Sequence, residues 1–235
     1  EEQKMDFPED FNQLELLNTH GHLIPRGASS LWSGSKGEEE EFEEEESLHS
    51  EEWYLEKEKT LQDRPKELIL WAAEKNRIST INRLLTDNPS LVDSCDEDGY
   101  TPLHRAAYSG HVDAASALLT AGAKINPQTI DGWTPLHSAC RWSRVAVASL
   151  LLRHGAELNA QTNGGLTALH LAASHTNSFR ADSAHTLELL LSQRHLKLGL
   201  RSSSGETASE VARGSGLHHF LFEMVEDCVN VVPME

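Results

Sequence analysis

The chain has 235 residues, a hydrophobic fraction of 38% and a formal net charge of −17 at pH 7. Residues 1–66 hold 19 acidic and 7 basic side chains. The negative net charge of the whole chain excludes a nucleic-acid binder with a broad basic face, because phosphate affinity depends on lysine and arginine. No apolar run approaches the roughly 20 residues of a membrane helix, and Cys95, Cys140 and Cys228 form no CxxC pair. We therefore expect a soluble protein in a reducing, intracellular compartment.

The first 52 residues divide into two segments of different composition. Residues 1–32 carry Phe11, Leu14 and Leu17 at helical spacing, which predicts a short amphipathic helix followed by an extended stretch. That helix docks on the rest of the chain or folds on a partner. Residues 33–52 include eight glutamates in a run of nine, and this charge predicts a disordered acidic linker. The linker is a solubilising spacer, or it engages a basic partner or serves as an acidic-hydrophobic activation segment.

Residues 53–66 follow the acidic linker and have a different character. Trp53, Tyr54 and Leu55 open this segment, which predicts a lead-in helix that continues towards Trp71 in the first repeat. The lead-in helix thereby connects the acidic linker to the repeated part of the chain.

The rest of the chain is repetitive. Three segments are equivalent and read GYTPLHRAA at residues 99–107, GWTPLHSAC at 132–140 and GLTALHLAA at 165–173. Their threonines are 33 residues apart, and a second mark, GAKIN at 122–126 and GAELN at 155–159, keeps the same spacing. Weaker copies lie at residues 68–73 and 205–212. Two independent marks with one period indicate a repeat protein.

These segments resemble the ankyrin repeat family, whose mark is Thr-Pro-Leu-His-x-Ala at a spacing of 33. The resemblance covers residues 67–228 and implies about five repeats, including degenerate end copies. It implies an all-α solenoid of stacked helix-turn-helix units with β-hairpin-like loops, behind the disordered acidic arm. Residues 229–235 remain as a C-terminal tail.

Each copy carries start and stop signals for two helices. Thr101 caps the first helix, and Pro102 sits at the first turn, where a missing N–H costs nothing. Gly110 and Gly122 supply left-handed residues that end the two helices. Ser143 stands where the second copy has Gly110, and we expect a cost of up to about 1 kcal/mol if the left-handed backbone is kept.

Thirteen histidines raise the question of a metal or catalytic site. His104, His137 and His170 occupy equivalent positions in successive repeats, and this regular ladder predicts structural histidines that bond the turn of the same or the next repeat. Cys140 lies three residues after His137, but neighbouring copies have alanine at its position, which predicts a buried core residue. Phosphate-binding, GxSxG, HExxH and CxxC motifs are absent, so we predict no catalytic residue, metal ligand or cofactor.

Partner binding is expected where the copies share a framework but differ in side chains. The resemblance implies that the hairpin tips and the exposed side of the first helices line a concave protein-binding surface. The predicted partner-binding residues include the types that anchor interfaces: Tyr100, Arg105, Tyr108, Trp133, Arg141, Trp142 and Leu166. The pairs before and at the loop turns also vary: Glu97-Asp98, Ile130-Asp131 and Asn163-Gly164. The alternative is that Trp133 and Trp142 only pack across neighbouring repeats.

Within the family, the chain resembles one vertebrate member over most of its length. The match includes residues 11–17 and 20–25 ahead of the repeats, and residues 70–77, 100–111 and 131–140 within them. This resemblance implies a non-enzymatic adaptor or co-regulator of transcription in the nucleus, linked to cell differentiation including spermatogenesis, with the cytoplasm as a second location. We expect a monomer that binds protein partners and contacts neither nucleic acid nor a membrane. The alternative is a cytosolic scaffold or substrate adaptor in protein turnover or signalling, and an enzyme is third.

The family resemblance also implies a modification. Asn159, with Leu151 eight residues before it, resembles the ankyrin motif that an asparaginyl hydroxylase reads. Leu118 and Asn126 repeat this spacing, although Lys124 replaces the usual acid. Hydroxylation is therefore expected at Asn159 and Asn126.

Overall fold

The computed structural model describes residues 50–174, 181–215 and 218–224, all within one compact unit, Glu44–Glu235. These ranges include helical segments of all five predicted repeats. The predicted helix within residues 1–32, the acidic linker up to residue 49 and the tail 229–235 lie outside the described residues and stay predictions.

The described residues form ten named α-helices: α1 (Glu51–Thr60), α2 (Pro65–Glu74), α3 (Ile78–Asp87), α4 (Pro102–Ser109), α5 (Val112–Thr120), α6 (Pro135–Arg141), α7 (Val145–Arg153), α8 (Ala168–Ser174), α9 (Ala181–Leu191) and α10 (Ala208–Ser215). A 3-10 helix, Pro89–Asp93, follows α3, and a further helical turn covers residues 219–224. This part of the chain contains no named strand, and one isolated antiparallel bridge joins Arg201 to Thr207. None of these helices is long and apolar enough to cross a membrane.

The helices stack in two rows. The first helices of the repeats, α2, α4, α6, α8 and α10, pack on one another in sequence order, and α3, α5, α7 and α9 form the second row. Small buried side chains let the first helices approach closely: Ala72, Ala73, Ala106, Ala107, Ala139, Cys140, Ala172 and Ala173. Each repeat buries its apolar face against its neighbours, so one core runs through the stack. The predicted all-α solenoid is confirmed.

Helix α1 begins earlier than the sequence analysis predicts. Glu51 and Glu52, assigned there to the acidic linker, form the first turn of α1, and the Ser50 hydroxyl accepts a hydrogen bond from the helix backbone at 3.4 Å. The predicted boundary after residue 52 is therefore wrong by two residues. Acidic residues are favourable at a helix N-terminus, and Arg77 Nη2 binds Glu51 at 2.6 Å. The lead-in helix also ends at Thr60, and four residues separate it from α2.

The turn between the two helices of a repeat requires a left-handed residue. Gly110 has φ of 87° there, and the equivalent residues Asn76 and Ser143 have φ of 53° and 54°. Ser143 thus keeps the left-handed backbone in the third repeat, which is the condition under which the sequence analysis expects a cost. A residue with a Cβ pays a conformational penalty at this place that glycine avoids.

Candidate partner-binding face

The loops before the first helices are stacked hairpin-like turns. In the second repeat, Asp96 N donates to Tyr100 O at 3.2 Å and Gly99 N donates to Asp96 O at 3.1 Å, and the loops before α6, α8 and α10 repeat this pattern. Neighbouring loops are joined at their tips, as where Ile130 N donates to Asp98 O at 2.9 Å. The tips therefore form a continuous edge beside the row of first helices.

The equivalent histidines link each first helix to the next repeat. Thr101 N donates to His104 Nδ1 at 3.1 Å, so Nδ1 is the acceptor and Nε2 carries the ring proton. His104 Nε2 then donates to Trp133 O at 2.9 Å, and His170 Nε2 donates to Glu206 O at 3.0 Å. The prediction that these histidines are structural is confirmed.

Burial sets the protonation of this part of the core. It lowers the pKa of His104 to about 4 and also lowers the pKa of His137, because a buried imidazolium loses its hydration. Burial also raises the pKa of the Cys140 thiol to about 12. A buried, protonated thiol is a poor nucleophile, and both ring nitrogens of His137 already have hydrogen-bond partners. Cys140 is a core residue, as predicted.

The residues that follow the turn glycines are only half-exposed. The Tyr100 ring meets the edge of the His104 ring at a centroid distance of 5.6 Å, and the Trp133 ring lies 6.3 Å from that of His137. Leu166 is likewise half-buried. Each of these side chains is thus partly accessible to solvent, and a role in partner binding remains a prediction for all three.

Arg105, on α4, already forms ion pairs with two neighbouring carboxylates. Its Nη2 contacts Asp96 Oδ2 at 2.8 Å, and its Nη1 contacts Glu74 Oε2 at 3.2 Å. The guanidinium also lies 5.7 Å from the centroid of the Tyr100 ring. Arg105 therefore joins the first repeat to the second, a role that spacing within one repeat does not reveal.

The most distinctive surface group is an aromatic patch formed by Tyr108, Arg141 and Trp142. Tyr108 and Trp142 are each 42% exposed, and their rings meet edge to face at 5.0 Å across the second and third repeats. The Arg141 guanidinium lies 5.4 Å from the centroid of the Trp142 ring. Arg144 Nε donates to Tyr108 O at 3.1 Å and so holds the two repeats together beneath the patch.

Ile130 belongs to the variable tip pairs identified in the sequence, whereas Arg144 is absent from the predicted residues. Ile130, at a hairpin tip, is 68% exposed, and an apolar residue between polar tips in the neighbouring copies is the signal that identifies it. Arg144 has no such signal, because its contact with Tyr108 spans 36 residues and depends on the stacking.

The two asparagines expected to be hydroxylated join neighbouring repeats. Asn126 Oδ1 accepts from Glu157 N at 2.9 Å, and Asn159 Oδ1 accepts from Lys197 N at 2.9 Å. Asn159 Nδ2 also donates to His195 O at 2.8 Å. Both amides are thus part of the repeat framework, and their hydroxylation stays a prediction that intact-mass spectrometry tests.

Comparison with known proteins agrees with this geometry. A family model described as "Ankyrin repeats" matches the chain three times, over residues 49–129, 69–162 and 126–198. The chain belongs to the ankyrin repeat family. It is 59% identical over 232 residues to ankyrin repeat domain-containing protein 49 of Bos taurus and 58% identical over 233 residues to that of Homo sapiens, covering 99% of this chain and 94% of each relative. The protein of that name in Drosophila melanogaster is 46% identical over 65 residues, which are 28% of this chain and 30% of the relative.

Membership in the ankyrin repeat family indicates what kind of site to expect. Ankyrin repeats are protein-binding modules and are generally not enzymes. In the part of the chain that the structure describes, no three His, Cys, Asp or Glu side chains are placed to hold a metal ion. The edge of hairpin tips and the aromatic patch are accordingly the candidate binding surfaces.

Proposed function

We propose that this ankyrin repeat protein binds a protein partner through the aromatic patch and the adjoining hairpin tips of the second and third repeats. The observation that carries the proposal is the exposed pair of Tyr108 and Trp142, held edge to face across two repeats. Large aromatic side chains with an arginine beside them are the groups that most often dominate binding energy. Their shared position on a rigid helical framework keeps the cost of ordering them low.

Affinity capture with quantitative mass spectrometry tests this proposal. The native chain is compared with a Tyr108→Ala/Trp142→Ala variant and with Leu55→Ala as a control. Leu55 is 45% exposed on α1, so its removal matches the loss of an exposed apolar side chain away from the patch. We expect specific partners to be lost by at least about tenfold from the double variant only, which corresponds to about 1.4 kcal/mol. Equal capture by all three chains, each shown to be folded by circular dichroism, would contradict the proposal.

We further propose that the binding serves an adaptor or transcription co-regulator in the nucleus, active in cell differentiation including spermatogenesis. The support is the resemblance of residues 11–25 and of the repeats to a vertebrate family member, together with an acidic segment typical of co-regulators. Subcellular fractionation of the endogenous protein separates this proposal from a cytosolic scaffold or substrate adaptor. A nuclear pool is expected, and a wholly cytosolic protein would favour the alternative.

A further inference from the structure

The geometry points to a basic peptide as the partner of this face, an inference that rests on the proposed function and narrows it. We infer that the face takes an extended peptide that combines lysine or arginine with an aromatic or branched apolar residue. The basic side chains contact the hairpin tips, and the apolar side chain packs on the aromatic patch.

Three tip carboxylates, Glu97, Asp98 and Asp131, provide the charge. All three are exposed, and none of them takes part in the ion pairs found among the described residues. Their negative charge also acts on Tyr100. Burial is the main cause of the raised pKa of Tyr100, and the charges of Asp131 and Asp98 raise it further. A cationic group placed over the tips therefore meets unneutralised negative charge.

Arg105, a cation on this face, does not neutralise the tip carboxylates. Arg105 already contacts Asp96 at 2.8 Å and Glu74 at 3.2 Å, so its charge is balanced within the repeats. The tip carboxylates also repel phosphates, which disfavours nucleic acid and anionic membranes as occupants. A basic protein segment is the macromolecular partner that this charge arrangement favours.

Apolar contact is available both at the aromatic patch and at the tips themselves. Tyr108 and Trp142 are each 42% exposed, and Ile130 is 68% exposed at the tip beside Asp131. Tyr108 lies near the end of α4, whereas Glu97 and Asp98 lie on the hairpin turn that precedes this helix. An extended peptide that runs from the tips along the first helices therefore meets the carboxylates first and the aromatic patch further on.

Selection from a phage library of random linear peptides on the full chain tests this inference. Selected peptides are synthesised with a fluorescent label, and their Kd is measured by anisotropy at about 0.1 M and about 1 M salt. The tip variant is Glu97→Gln/Asp98→Asn/Asp131→Asn, in which asparagine before glycine still suits the turn. The charge-matched control, Asp63→Asn/Asp87→Asn/Glu157→Gln, removes three exposed carboxylates away from this face. Both retain the acidic linker, so its binding of basic peptides is the same in each.

We expect the selected peptides to combine basic residues with aromatic or branched apolar residues. Their Kd is expected to rise about tenfold for the tip variant at low salt, with a smaller rise at high salt and no change for the control. Equal binding by the tip variant and the control, or selected peptides without basic residues, would overturn the inference. In either case, loss of binding by Tyr108→Ala/Trp142→Ala alone would leave the proposed function standing, whereas its retention would overturn both.

Discussion

At the scale of single residues, the first helix of a repeat carries both buried residues that hold the stack together and exposed residues that differ between repeats. His104 is fully buried and bonds both its own helix start and the next repeat, whereas Tyr108, one turn later on α4, is 42% exposed. The repeated histidines identify the framework directly from the sequence. The contact between Tyr108 and Trp142 does not follow from sequence, because it joins residues 34 positions apart and exists only once the repeats stack.

The histidine bridges are expected to contribute strongly to stability. Replacing His104 with alanine removes its hydrogen bonds to Thr101 and Trp133 and leaves a cavity, so we expect the free energy of unfolding in urea to fall by about 2–4 kcal/mol. The control is His185→Ala, at an exposed position on α9, with an expected change within about 0.5 kcal/mol. Similar losses in the two variants would show that the bridge is not the source of the effect.

Stability is also expected to fall in mild acid. The pKa of His104 is about 4 in the folded chain and about 6.5 when unfolded, so the unfolded chain binds more protons between these values. The neutral ring's contribution is therefore present above pH 6.5 and is lost as the pH falls towards 4. From pH 7 to pH 5 we expect a loss of about 2 kcal/mol from this residue, measured by urea unfolding. His104→Asn, which does not titrate, should lose correspondingly less, and an identical pH dependence would refute this assignment.

At the scale of elements, local signals predict some boundaries and tertiary contacts set others. The Thr-Pro starts of α4 and α6 and the glycine stop of α4 are visible in the sequence, and the structure has them. The start of α1 is not, since Glu51 and Glu58 are held by Arg77, 26 and 19 residues away. Ion pairs at that separation become apparent only when α1 packs against α3.

The turn between α6 and α7 offers a stabilising substitution. Ser143 has φ of 54°, so Ser143→Gly is expected to raise the unfolding free energy by about 0.5–1 kcal/mol. The same change at Ser116, on the exposed side of α5, should lower it by about 0.5–1 kcal/mol, because a helical glycine costs entropy. Thermal and urea unfolding measure both, and a loss of stability at Ser143 would contradict the strain assigned to it.

Arg77 is expected to anchor α1 on the first repeat. In Arg77→Ala the contacts to Glu51 and Glu58 are lost, and hydrogen exchange of the amides in α1 should accelerate by about tenfold or more while α6 is unchanged. Arg83→Ala, at an exposed arginine on α3, the helix that Arg77 directly precedes, serves as the control. Unchanged exchange in α1 of Arg77→Ala would show that the aromatic contacts of Trp53 and Tyr54 with Trp71 suffice to hold it.

At the scale of the whole molecule, the period of 33 residues predicts the solenoid because each repeat can bury its apolar face only against a neighbour. The stack in turn places chemically different side chains at equivalent surface positions. The sequence therefore indicates where a partner binds better than it indicates what the partner is. The charge at the hairpin tips narrows that choice, since the exposed Glu97, Asp98 and Asp131 favour a basic partner.

Hydrogen exchange of the chain with a captured partner is the most direct test of binding at this face. We expect slower exchange in residues 96–110 and 129–144 on complex formation, with α5 and α7 in the second row unchanged. This pattern would place the partner on the hairpin tips and the aromatic patch. Protection confined to the second row, or to residues 1–49, would contradict binding at this face.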